Sequence, residues 1–305
     1  MKLNLIHDKE EDQNEIESKY LWNVHLFSAW TTIWRLNLST LSIDGSFGYH
    51  FKNYWMRPIM TLPNNQFLGM YIDTYRYKKV YFISDENFST QIIDIAEAEP
   101  LNNSYDFVSC FYDDSIFIFE NELKISTQEC IANHAKRYFI TQKRWVMLAN
   151  YHFGNVISCL GFNQKIVMIY KQTNWLIVYD ILLDSYNSYL PIKDTGNSEV
   201  KAIFKTGGRL YLISYSKSYK IHVTDDIYSE WTFVYNFKDN SHDWFFDARA
   251  FYQGSIYLLS RLYFNTFKFK MTNFEFKKFL EIKDSHVGEE IQKFRIFSIL
   301  INTSA

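Results

Sequence analysis

The chain has 305 residues, 47% of them hydrophobic and 19% aromatic, with 32 Lys and Arg against 34 Asp and Glu for a formal charge of −2. So much apolar material supports a large core, whereas the near balance of charge excludes the basic excess with which nucleic-acid and anionic-membrane binders neutralise phosphates. No uncharged apolar run reaches the ~18 residues of a helical membrane span.

The opening segment, residues 1–17, is polar and acidic and reads as a solvated tail ahead of a single domain spanning 18–305. It carries neither the apolar stretch nor the cleavage site of a secretory signal. Cys110, Cys130 and Cys159 are odd in number and lack CxxC spacing, which points to free thiols in a reducing, cytoplasmic setting. Glycine and proline are few, at 10 and 4, so Asn, Asp and Ser are expected to make the turns.

Three strand-like runs come first: LWNVHLFSA, TTIWRLNLS and FGYHFKN. They read as the second to fourth strands of a sheet that lacks its first. A series of hairpins follows, RPIMTLPNNQFLGMY from Arg57, FVSCFYDDSIFIFE from Phe107, ISCLGFNQKIVMIY from Ile157, KAIFKTGGRLYLIS from Lys201 and DARAFYQGSIYLLS from Asp247. Each is an apolar strand, a short polar turn and a second strand. Their turn anchors, Gln66, Ser115, Lys165, Arg209 and Ser255, recur at about 45–50 residues, a spacing expected of propeller blades.

Two more strand-like runs succeed the hairpins, such as NWLIVYDILL with NSYLPI, KSYKIHVT with WTFVYNF, and NTFKFKM with EFKKFLEI. An Asx residue followed five positions later by an aromatic is expected to form the turn between them. It recurs at Asp44–Tyr49, Asn133–Tyr138, Asp184–Tyr189 and Asp226–Trp231, with weaker copies at Asp85–Thr90 and Asn273–Lys278. At the end stands an orphan run, FRIFSILIN, from Phe294 to Asn302. The expected fold is all-β: a six-bladed β-propeller of four-stranded antiparallel blades, closed by the C-terminal strand joining the N-terminal blade, because an open ring would expose two sheet edges.

The order of strand, turn, aliphatic–Tyr strand and Asp turn, clearest in KTGGRLYLIS…TDDIYSEW, resembles kelch-like β-propeller blades. Thr224, Asp226 and Trp231, and likewise Ser42, Asp44 and Tyr49, resemble the Asp-box of sialidase-like propellers. The kelch double glycine is absent, and Tyr228 and Ser46 replace the central Asp-box glycine. Both motifs are structural, so the resemblance implies a fold and no chemistry.

The sequence holds no P-loop, GxGxxG or GxSxG. His242, Asp243 and Asp247 form the one local histidine–carboxylate group and read as a polar loop packing Trp244. No catalytic residue, metal or cofactor is therefore expected. Function is expected in loops. The loops that join blades, and those between second and third strands, emerge at one end of a propeller. There they would gather Trp55, Arg57, Tyr75, Arg76, Tyr77, Trp175, Tyr215, Trp244, Arg261 and Tyr263. Tyr, Trp and Arg are the types enriched at interface hot spots, because they bury large rigid area and keep a polar handle. The expected role is a non-catalytic protein-binding propeller, an adaptor or an immunity or effector-associated protein. The alternative is a carbohydrate-binding or glycoside-hydrolysing propeller, since the same aromatics stack on sugars.

Overall fold

The computed structural model describes residues 18–27, 30–40, 42–49, 54–73, 78–97, 103–124, 130–151, 156–170, 175–189, 198–206, 208–237, 246–252, 255–270, 275–281 and 294–300. The expected tail, 1–17, lies outside them. The described strands fall into six sheets taken in chain order. The first holds β1 (Tyr20–Phe27), β2 (Trp30–Asn37) and β3 (Ser42–Tyr49). The second holds β4 (Tyr54–Thr61), β5 (Phe67–Asp73), β6 (Lys78–Ser84) and β7 (Thr90–Glu97). The third comprises β8 (Asn103–Tyr112), β9 (Ser115–Lys124), β10 (Cys130–Phe139) and β11 (Arg144–Met147). The fourth comprises β12 (Val156–Phe162), β13 (Lys165–Tyr170), β14 (Leu176–Asp180) and β15 (Ser185–Tyr189). The fifth is β16 (Glu199–Thr206), β17 (Arg209–Tyr215), β18 (Tyr219–Thr224) and β19 (Thr232–Phe237). The sixth contains β20 (Phe246–Tyr252), β21 (Ser255–Lys270), β22 (Glu275–Glu281) and β23 (Phe294–Leu300).

Sheets two to five are antiparallel meanders in which every strand pairs with its chain neighbour. Ser115, Lys165, Arg209 and Ser255 each begin the second strand of a sheet, and Gln66 directly precedes one. The tight turns before them are made without glycine in three cases. Asn64 and Asn65, Asp113 and Asp114, and Asn163 and Gln164 all have φ between 47° and 59°. Two consecutive left-handed residues are what a two-residue hairpin of matching twist requires, and Asn and Asp tolerate them best after glycine.

First strands stand beside one another: β1 by β4, β4 by β8, β8 by β12 and β12 by β16, while β20 neighbours β1. The sheets therefore pack face to face, and the alternation of each strand divides its apolar residues between two neighbours. Ile116 and Ile118 of β9 join Leu68, Met70 and Tyr81 of the second sheet, whereas Phe117 and Phe119 join Cys159, Ile166 and Met168 of the fourth. In the same way Val167 and Ile169 of β13 meet Val200, Ile203, Leu210 and Leu212 of the fifth. Strands buried on both faces explain why the hairpin sequences run nearly continuously apolar.

Gly161 shows how close this packing is. A Cβ there would sit 2.3 Å from the Tyr112 ring, which crosses it from the third sheet. The Tyr112 hydroxyl also accepts a hydrogen bond from the Gln164 amide at 2.7 Å, so the ring cannot swing aside without losing it. Gly161→Ala is expected to destabilise the protein by about 1–3 kcal/mol through overpacking. The measurement is the midpoint of urea unfolding, and an unchanged midpoint would mean the ring yields freely.

A feature without a sequence signal recurs on the first strands. Register shifts fall between Pro58 and Met60, Val156 and Ser158, Val200 and Ala202, and Phe246 and Ala248. A bulge at a similar place in four of the six first strands, β4, β12, β16 and β20, bends and twists each of them.

Three expectations are corrected. The C-terminal strand does not complete the N-terminal sheet: β23 pairs with β21. Its register is antiparallel along Ser255–Ser260 and parallel along Phe264–Lys270, so it lies against both arms of β21. The physical reason is that β1 itself stands beside β4 and β20, which makes it a first strand and leaves the first sheet three-stranded. Secondly, Arg261 and Tyr263, expected in a loop, are inside β21, and Trp55 and Arg57, likewise expected in a loop, are inside β4, which begins at Tyr54.

Thirdly, among the described copies the Asx-to-aromatic spacing marks a turn at Asp85, Asp184 and Asp226 but not at Asp44 or Asn133. Asp85 Oδ1 accepts from the amides of Asn87 and Ser89, both at 2.9 Å, and Asp226 opens the β18–β19 turn. Asp44–Tyr49 lies within β3 and Asn133–Tyr138 within β10. In the β14–β15 turn the capping residue is Asp180, which accepts from Leu182 and Leu183. Asp184 instead accepts from the Tyr179 hydroxyl at 2.7 Å and the Ala149 amide at 3.0 Å, tying the fourth sheet to the third. Asn273 is outside the described residues.

Candidate functional site

Antiparallel order sends the connections between second and third strands, and those between sheets, to one end of the sheets. The two tighter turns of each sheet go to the other end. At the first end Trp175 immediately precedes β14 and is 45% exposed. Tyr215 ends β17 and Tyr219 begins β18, and their rings lie 4.6 Å apart across the three-residue bend. That contact leaves Tyr215 only 9% exposed. Trp55 and Arg57 sit in the first half of β4. Arg261 and Tyr263 sit in β21 between the part that pairs with β20 and the part that pairs with β22. Tyr75, Arg76, Tyr77 and Trp244 lie outside the described residues. Trp175 is therefore the expected site residue whose side chain is seen to present a large aromatic surface.

The opposite end carries its own apolar surface, with Leu182, Leu183 and Tyr228 strongly exposed on the β14–β15 and β18–β19 turns. Salt bridges flank it: Lys165 to Asp180 at 2.8 Å and Arg209 to Asp225 at 2.6 Å. The Arg209–Asp225 pair is exposed, so solvent screening leaves it little net stabilisation, whereas Lys165 and Asp180 are largely sheltered.

The strongest electrostatic feature is buried between the second and third sheets. Glu120 of β9 meets Lys79 of β6 at 3.1 Å and Lys136 of β10 at 3.7 Å, and the Tyr81 hydroxyl donates to it as well. Lys136 also reaches Asp94 of β7 at 3.5 Å and lies 4.0 Å over the Tyr81 ring and 4.9 Å from Trp145. Glu120, Lys79 and Lys136 are each less than a tenth exposed. Burial works against the Glu120 carboxylate, yet the two ammonium groups and the hydrogen bonds from Tyr81 and Lys79 outweigh it and hold its pKa below the ordinary value. For Lys136 burial prevails, and its pKa falls despite Glu120. The asymmetry is physical: one carboxylate is shared by two cations, and the nearer is Lys79.

Sequence reasoning missed this group. Glu120 stands at the end of the apolar run SIFIFE, and a carboxylate there was the one available signal. Lys79 reads as the end of a loop, and Lys136 lies next to Arg137 like any solvated pair. Among the described residues, no group of three or more His, Cys, Asp or Glu is placed to hold a metal.

No protein-family model and no curated protein sequence matches the chain. Solved structures match in fold. A luciferin-regenerating enzyme superposes with a TM-score of 0.52 at 12% identity, over 80% of this chain and 84% of that one. TolB from Acinetobacter baumannii gives 0.53 at 8% identity, over 81% of this chain and 59% of TolB, so this chain spans well under two thirds of TolB's length. A chain of a nidogen/laminin complex gives 0.53 at 7% identity, over 92% and 98%. The fold is a β-propeller. At these identities the likeness extends to the arrangement of sheets in the propeller and to nothing chemical.

Proposed function

We propose that this propeller is a non-catalytic binding protein whose partner is another protein, engaged at the end where the sheet-to-sheet connections emerge. The observation that carries the reading is Trp175, a large aromatic 45% exposed at that end of the fourth sheet. Aromatic and Arg side chains in loops on a rigid scaffold are the usual anchors of protein interfaces. The six sheets are read as six blades of one domain, 18–305, a reading supported by the neighbouring first strands and by β20 lying near β1. Thr224, Asp226 and Trp231 on the β18–β19 turn support a kelch-like or Asp-box type of blade. A cytoplasmic location belongs to the same reading, with Cys110 and Cys159 buried in the core as reduced thiols.

The test combines partner capture with glycan-array binding. Trp55→Ala, Arg76→Ala and Trp244→Ala together are expected to abolish capture of the partner while leaving the melting temperature nearly unchanged. Trp175→Ala alone should weaken binding by about tenfold or more, the effect of losing an aromatic anchor. Wild-type affinity in the triple variant would move the interface to the opposite end. Glycan binding that disappears in these variants would select the carbohydrate reading instead.

A further inference from the structure

Strand register gathers two arginines at the turn end of the third sheet. Arg137 and Phe139 of β10 are two residues apart and share a face, and Arg144 of β11 stands directly across the ladder from Phe139. Phe117 of β9 stands directly across from Arg137 on the same face. Ala135, the preceding residue of that face, packs with Phe117 toward the fourth sheet. The Arg137 guanidinium lies 4.1 Å from the Phe139 ring centre and 4.9 Å from that of Phe117, and the Arg144 guanidinium lies 4.7 Å from Phe139. Two cations thus share one phenyl ring.

Among the described residues, neither guanidinium makes an ion pair with a carboxylate. Asp113 acts on Arg137 through space without pairing, and the neighbouring Asp114 accepts from the Thr141 amide and hydroxyl. Arg144 donates its Nε to Gln142 at 2.5 Å. The Arg137 Nε is closed to water and has no acceptor, although the residue as a whole keeps partial exposure. A buried N–H without an acceptor bears the cost of its lost hydration. Burial lowers the pKa of Arg137 below the ordinary guanidinium value, and Arg144 adds to this against the pull of Asp113 and Tyr179. The Tyr179 hydroxyl is itself given to Asp184. Like charges held in this way on one ring are stabilised by an anion that both can reach.

We propose that Arg137 and Arg144 form an oxyanion site whose ligand is a phosphate group, carried free or as a monoester. A phosphate dianion matches two guanidinium groups in charge, where a carboxylate matches one. Each guanidinium presents its donors in a rigid planar fork, and stacking on Phe139 and Phe117 orients that fork before a ligand arrives. The site is at the opposite end of the sheets from Trp175, so it stands apart from the protein-binding reading.

Isothermal titration calorimetry at low salt and about pH 8, where phosphate monoesters are dianions, tests the site with phenyl phosphate, inorganic phosphate and benzoate. Phenyl phosphate is expected to bind saturably with a Kd of about 1 mM or tighter, and benzoate about tenfold more weakly. Inorganic phosphate that binds as tightly as the ester would support the site with the free anion as ligand, and tighter binding of the ester would support it with a phosphorylated one. Arg137→Met and Arg144→Met should each weaken binding about tenfold or more. Arg137→Lys keeps the charge but loses the fork, and it should weaken binding as well. Arg209→Met removes a cation from the turn end of the fifth sheet and should bind as wild type does. Arg144 is exposed, so its variant carries the test even where Arg137→Met fails to fold. The proposal is overturned by the absence of saturable binding, by benzoate binding as tightly as phenyl phosphate, or by equal losses in Arg209→Met and Arg144→Met.

Discussion

Glu120→Ala is expected to lower folding stability at neutral pH by about 3–5 kcal/mol, the cost of breaking a buried ion pair from one side. The carboxylate lies 3.1 Å from Lys79 and 3.7 Å from Lys136, which also reaches Asp94 at 3.5 Å. Alanine also removes the acceptor of the Tyr81 hydroxyl. Two cations and a hydroxyl then stay in a space with little access to water, which costs more than the pairing itself had contributed. Urea unfolding at pH 7 measures the loss. Adding Lys79→Met and Lys136→Leu to Glu120→Leu should restore most of it, since packed apolar residues match buried ion pairs in stability. A loss below about 1 kcal/mol in Glu120→Ala would mean the cluster is hydrated like a surface pair.

Trp231→Ala is expected to cost a similar amount, about 3–5 kcal/mol, for a different reason. Trp231 stands just before β19 and is 7% exposed, packed with Leu160, Phe162, Val167 and Ile227 in the cluster that joins the fourth and fifth sheets. Its removal leaves a cavity walled by two rigid sheets that cannot collapse into it. Trp231→Phe should recover more than half of the loss, because a ring still fills the gap. Equilibrium denaturation of the three proteins is the check, and equal stability of Trp231→Ala and wild type would remove this residue from the core. The corresponding aromatics in other sheets follow different turns: Trp145 donates to the Ile93 carbonyl of the second sheet at 3.0 Å, and Tyr186 donates to the Ala149 carbonyl at 2.9 Å.

Hairpin positions were legible because local chemistry determines them. Asn64–Asn65 and Asp113–Asp114 can adopt left-handed backbone, and the apolar runs beside them are too short for helices. The outer turns were half legible. Asp85 and Asp226 cap turns as their spacing suggests, but Asp44 and Asn133 have the same spacing inside strands. An Asx residue hydrogen-bonds whatever amide its backbone brings near, so spacing alone does not distinguish turn from ladder. The candidate binding end was legible only in part: Trp175 and Tyr215 stand at strand ends, but Trp55 and Arg57 lie within β4 and Arg261 and Tyr263 within β21. Exposure was not, and Trp175 and Tyr215 show why: both are aromatics at strand ends, yet Trp175 is 45% exposed while Tyr215, packed on Tyr219 across a short bend, is 9% exposed.

The sequence by itself determined an all-β chain of repeated hairpins at about 45–50 residues, because turn chemistry and strand alternation are properties of neighbouring residues. Tertiary structure decided which strand sits beside which. β1, and not the C-terminal run, stands next to β4, and β23 lies along β21. Edge pairing depends on which strands the ring brings within hydrogen-bonding distance, and any apolar strand can satisfy an open edge. The burial of Glu120 between two lysines was decided in the same way, since a charged residue at the end of an apolar strand is solvated or enclosed according to the sheet packed against it.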